Sequence, residues 1–273
     1  MRLMTPHRYS LRFKPMENDR IEKDSTKESL SKVPELTLLF WIIKIAATTL
    51  GETGGDAVSM SMKLGYLVGT AIFAVVFVIA VTFQIRARRF HPIIYWATII
   101  ATTTVGTTLA DFADRSLGIG YAGGSALLFV LLMASLLVWH RVMGSVSVES
   151  VSEPKAEVFY WVTIMFSQTL GTALGDWTAD SAGLGYRGGA LVFLGLLAVV
   201  VALHFWTRIS KTALFWAAFI LTRPLGAVVG DLLDKPLDHG GLALSRYTAS
   251  AALLVFIAAC ILIFPHRAAQ KAH

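Results

Sequence analysis

From Leu36 onward, apolar residues come in runs of about 20, each bounded by polar residues or glycine. At a rise of about 1.5 Å per residue, such a run crosses a hydrocarbon layer about 30 Å thick. The pattern predicts eight helices, approximately over residues 36–56, 65–85, 93–112, 120–140, 158–177, 185–206, 213–232 and 247–265. The expected fold class is therefore all-α, a polytopic membrane protein.

The runs are not independent. Trp41, Trp96, Trp161 and Trp216 each precede a glycine by ten residues (Gly51, Gly106, Gly171, Gly226), and each glycine precedes an aspartate by five (Asp56, Asp111, Asp176, Asp231). This W-x9-G-x4-D unit recurs four times and, with the helix that follows it, divides the chain into repeats of about 36–90, 91–155, 156–210 and 211–266. In the first three a Gly-Tyr pair (Tyr66, Tyr121, Tyr186) opens the second helix, and in the fourth Tyr247 takes that place. Two helices per repeat keep all four repeats in one orientation, so the repeats are parallel rather than inverted.

Composition agrees with this reading: 55% of residues are hydrophobic and 15% charged, against about 25% charged in a soluble domain. The net charge of +6 is distributed by topology, not gathered on a nucleic-acid-binding face. Most of the 24 Lys and Arg lie in the N-terminal tail, the C-terminal tail and the connections between repeats, while half of the 18 Asp and Glu lie in the signatures and the connections that follow them. That bias puts both termini on the cytoplasmic side of the membrane. Residues 1–33 read as a flexible cytoplasmic tail, 34–266 as the membrane domain and 267–273 as a second short tail; Met16 is an alternative start. The single Cys260 excludes intrachain disulfides and a CxxC redox motif.

The signature helices carry two stripes. One is small: Gly51 and Gly55, Gly106 and Ala110, Gly171 and Gly175, Gly226 and Gly230. Small residues one turn apart let helix backbones approach closely, so these positions read as helix packing. The other is polar, at three before, one after and five after the repeat glycine: Thr48, Glu52, Asp56; Thr103, Thr107, Asp111; Gln168, Thr172, Asp176; Arg223, Ala227, Asp231. The i, i+4, i+8 spacing gives one face. Lys44 extends the first stripe by another turn.

Oxygen-rich stripes suit a hard cation or a proton relay. Asp56, Asp111, Asp176, Asp231, Glu52, Thr48, Thr103, Thr107, Gln168 and Thr172 are the expected cation-binding or pathway residues. Ionisable groups inside a span face the bundle interior and pair. Lys44 and Arg223 are thus expected to gate or couple, most simply through an ion pair of Arg223 with Glu52, near a kink at Pro224. The tryptophans, with Trp139, Trp206 and Trp177, read as an interfacial belt. No phosphate loop, zinc-protease helix or nucleophile elbow occurs, so neither an enzyme nor a cofactor is expected.

Segments such as TTVGTTLAD, QTLGTALGD and RPLGAVVGD resemble a bacterial four-repeat integral membrane family labelled only as membrane-anchored protein of unknown function. The resemblance implies a multispan inner-membrane protein and carries no substrate. The expectation drawn from the residues is a secondary transporter or exporter of a small cation, a divalent metal coupled to protons. The alternative is a non-transporting scaffold or sensor. Expected partners are the lipid bilayer, the cation or proton and a second copy in a homo-oligomer; nucleic acid is not among them.

Overall fold

A computed structural model describes residues 31–269. The alternative start at Met16, and the tail expected over residues 1–30 and 270–273, lie outside the described residues. Eight long helices account for the fold: α1 (Leu38–Asp56), α2 (Gly65–Arg86), α3 (Pro92–Asp111), α4 (Tyr121–Met143), α5 (Pro154–Asp176), α6 (Gly185–Trp206), α7 (Lys211–Asp234) and α8 (Arg246–Ile263). Six are long and apolar enough to cross a membrane; α1 and α5 fall short on composition, not on length.

The odd-numbered helices form a closed ring in the order α1, α3, α5, α7 and back to α1. Each even-numbered helix lies outside it, against the signature helix of the following repeat: α2 on α3, α4 on α5, α6 on α7 and, closing the circle, α8 on α1. The division of labour follows from sequence. The inner helices bear the small and polar stripes and are mostly buried, whereas α2, α4, α6 and α8 are apolar on nearly every side and expose that surface, as an environment of hydrocarbon requires.

Local sequence sets the ends. Thr37 caps α1 by accepting a hydrogen bond from the Phe40 amide at 3.3 Å, and proline stands in the first turn of α3 and α5, where a missing N–H costs nothing. After Asp56, Asp111 and Asp176 the chain adds one wider π-helical turn (Ala57–Ser61, Phe112–Ser116, Trp177–Ser181) before the short connection. In repeat four α7 runs on to Asp234 without that turn, and it continues unbroken through Pro224.

At the tryptophan end the two ends of the described segment meet over the bundle. Pro34 and Ala268 form an isolated antiparallel bridge, Ser31 donates to the Val148 carbonyl at 2.6 Å, and Lys32 pairs with Glu157 at 2.5 Å. Ser31, Lys32 and Val33, assigned by sequence to the free tail, are therefore buried parts of the domain.

The tryptophan belt is a correction. Trp96, Trp139, Trp161 and Trp216 are buried and packed edge-on with Tyr95, Tyr160 and Phe215, and Tyr95 and Tyr160 share a 2.7 Å hydrogen bond between their hydroxyls. Trp41 is half-buried. Only Trp177 and Trp206 are exposed. The W of the repeat faces inward because the first helix of each unit is an inner helix, with its lipid side covered by a neighbour.

Candidate functional site

The two stripes are the two halves of one recurring joint. A Cβ on Gly51 would fall on Thr103, one on Gly171 on the Arg223 stem and one on Gly226 on Thr48, while one on Gly106 would stand 3.1 Å from the Gln168 backbone. The residue three before each glycine thus packs into the glycine of the preceding repeat. One turn further along, Gly55 receives Thr107 at 3.0 Å, Gly175 receives Ala227 at 2.9 Å and Gly230 receives Glu52 at 2.6 Å. Close approach also brings hydroxyls to the neighbouring backbone. Thr48 donates to the Thr222 carbonyl, Thr103 to Ala47 and Thr107 to Gly51, each at 3.2 Å. All seven packing glycines expected from sequence lie in these joints.

Stacked along the ring's axis are layers one turn apart. The layer after the glycine contains Glu52, Thr107 and Thr172 from three repeats and Ala227 from the fourth. Arg223 fills the middle: its Nη2 donates to Glu52 Oε2 at 3.0 Å, Thr107 Oγ1 at 2.6 Å and Thr172 Oγ1 at 2.5 Å. Repeat four therefore exchanges roles between two positions, its arginine rising into the level where its own alanine leaves room. The expected Glu52–Arg223 pair is present and fully buried.

The next layer is a ring of buried aspartates, Asp56, Asp111, Asp176 and Asp231. Two cations clamp it in alternate pairs. Arg115 Nε meets Asp111 at 2.9 Å and its Nη2 meets Asp176 at 3.3 Å; Lys235 Nζ binds Asp56, meets Asp231 at 2.8 Å and lies 3.8 Å from Asp234. From α8, Arg246 adds a 2.7 Å contact to Asp234 and lies 3.7 Å from Asp56. Burial works against the charge on Lys235, yet Asp231, Asp56 and Asp234 outweigh it and hold its ammonium pKa well above the usual lysine range.

Carboxylate oxygens of Glu52, Asp56 and Asp111 come within 4.8 Å of one another, as do those of Asp56, Asp231 and Asp234. Asp56 Oδ1 and Asp111 Oδ2 are buried with no hydrogen-bond partner among the described residues. Oxygen donors at that separation have the chemistry of a hard-cation site.

Sequence placed the aspartates, Glu52 and Arg223 correctly on a shared interior. The polar stripes read from the sequence do not include Arg115, Lys235 or Arg246. The available signal was spacing: Arg115 and Lys235 each follow a signature aspartate by four residues, one helical turn on. Thr48 and Thr103, expected to line a path, instead donate to backbone carbonyls of adjacent helices. Gln168 and Lys44 are fully buried on the tryptophan side of Arg223, and neither side chain has a hydrogen-bond partner among the described residues.

Four stretches of the chain, residues 39–90, 94–145, 159–210 and 214–267, match a family model described as Repeat of Unknown Function (DUF347). Each begins near the start of an inner helix and ends past the outer helix that follows. No curated protein and no solved structure matches the chain.

Proposed function

This chain belongs to the family built from that repeat of unknown function, and we propose that it is a secondary transporter or exporter of a small cation, a divalent metal exchanged for protons. In this reading all eight helices cross a bacterial inner membrane. The termini and their arginines and lysines face the cytoplasm, and the aspartate ring faces outward.

The observation that supports transport is the clamped carboxylate ring. Six acidic groups (Glu52, Asp56, Asp111, Asp176, Asp231 and Asp234) are buried together at one end of the axis, and the cations that hold them are side chains rather than solvent. Burying charge is costly unless it is paired, and such ionisable clusters inside a membrane protein mark ion and proton routes. A hard cation competes with Lys235 and Arg115 for the ring, and with Arg223 for Glu52. Displacement of Arg223 from its three oxygen partners is the coupling step, because the same guanidinium joins α7 to α1, α3 and α5.

The test is flux in proteoliposomes. Replacing Asp111 and Asp176 together by asparagine abolishes manganese or magnesium flux and proton counterflow while leaving the elution profile of the purified protein unchanged; intact flux rejects the role. The second reading, a scaffold or sensor, draws support from the axis itself, filled by Arg223 and closed below by the aromatic cluster. Deletion of residues 1–30 separates the two, sparing transport but removing partner binding.

A further inference from the structure

On the tryptophan side of the Glu52–Arg223 pair the axis holds buried N–H groups without partners. Lys44 from α1, Gln168 from α5 and Arg223 from α7 are fully buried, and four of their donor atoms have no acceptor among the described residues: Lys44 Nζ, Gln168 Nε2, and Arg223 Nε and Nη1. Arg223 spends only Nη2 on its oxygen partners. The nearby hydroxyls of Thr48 and Thr103 accept from none of these donors, and their own hydrogen bonds run to backbone carbonyls. An arginine in a protein does not lose its proton, so Nε and Nη1 remain donors without an acceptor. Lys44 Nζ lies 4.1 Å from the centre of the Phe219 ring, a weak substitute for a hydrogen-bond acceptor. One turn further down, the level of Lys44 itself is completed by Ile99, Ile164 and Phe219, without a carboxylate.

We propose that Lys44, Gln168 and Arg223 together form a binding site for a small monovalent anion of the halide class, on the opposite side of the guanidinium from Glu52. A guanidinium, an amine and an amide, from three helices, supply the N–H groups that such an ion requires, and the bound anion favours the protonated form of the amine. Neighbouring isoleucine and phenylalanine side chains keep the site small and dry, which favours chloride over a phosphate or carboxylate. The site does not depend on cation transport: it rests on unmatched donors in a different layer from the aspartate ring.

Thermal unfolding of the purified full chain, titrated with sodium chloride or bromide against sodium gluconate at constant ionic strength, tests it. The expected result is a saturable rise in melting temperature with either halide and none with gluconate. Lys44→Met and Gln168→Leu should each move the half-saturating halide concentration up at least tenfold. A rise that is equal in gluconate, or halide curves unaltered by either substitution, overturns the proposal. Bromide-soaked crystals of the unmodified protein give a second readout independent of the variants: an anomalous peak between Lys44 and Arg223 supports the site, and ordinary water there refutes it.

Discussion

Thr48 occupies the space that a Cβ on Gly226 would need, so the first repeat is locked to the fourth by the same joint that sets Thr103 against Gly51. The ring is closed by repetition of one contact. Gly226→Ala should therefore destabilise the protein by about 1–3 kcal/mol, the usual cost of forcing extra volume into a packed interior. Gly54 is the internal control, because the nearest neighbours of its added carbon are 3.8–4.0 Å away. Gly54→Ala should be neutral or stabilising by about 0.5–1 kcal/mol through helix propensity. Denaturant unfolding in detergent compares the two, and equal costs would contradict the joint.

Glu52→Gln leaves the Arg223 guanidinium buried beside a neutral amide. Breaking one partner of a buried pair costs about 3–5 kcal/mol, whereas replacing both by apolar groups of similar volume is often close to neutral. Glu52→Leu combined with Arg223→Met should thus recover most of the stability that Glu52→Gln loses. A double-mutant cycle by chemical unfolding reads the coupling, and simple additivity would show that the two residues do not act as a pair.

Arg115→Gln removes the cation that, among the described residues, Asp111 and Asp176 share. The freed carboxylates should bind manganese or magnesium more readily, seen as metal-dependent stabilisation that reaches half its maximum at several-fold lower concentration than in the unsubstituted protein. Calorimetric melting with and without a chelator measures this; an unchanged midpoint would mean that the ring has no cation affinity for Arg115 to mask.

Single-tryptophan variants distinguish a packed cluster from a membrane-surface girdle. Trp206 is 84% exposed and Trp161 2%. Fluorescence of the variant retaining Trp206 should fall strongly in brominated lipid, and that of the variant retaining Trp161 should barely change. Equal quenching would return the repeat tryptophans to the interface.

Helix number, repeat boundaries and the inward direction of the polar stripe were legible in the sequence because each has a period: 20-residue apolar runs, a four-fold signature and i, i+4, i+8 spacing. Glu52 with Arg223 was legible because an ionisable residue inside an apolar run needs a partner. The tryptophans were misread because position near a helix end suggests an interface, whereas what decides is which helix receives an outer cover. That cover comes from the helix just before it, at the end of the preceding repeat, and for α1 from α8 at the other end of the described residues, a pairing that a tryptophan's place near a helix end does not encode. Arg115 and Lys235 were missed for a different reason: the π-helical turn after Asp111, and the longer α7 in repeat four, carry them back over the ring instead of out into a loop.

Because each outer helix shields the inner helix of the next unit, and α8 shields α1, no repeat is a self-sufficient module. Among the described helices α1 is made first and receives its outer cover, α8, last, while its Glu52 meets Arg223 only once α7 has been made. Maturation is then a single late event, not four successive ones. The same circular order means that opening the chain between two units keeps the order of helices around the ring, whereas ending synthesis one helix early leaves the outer face of α1 uncovered.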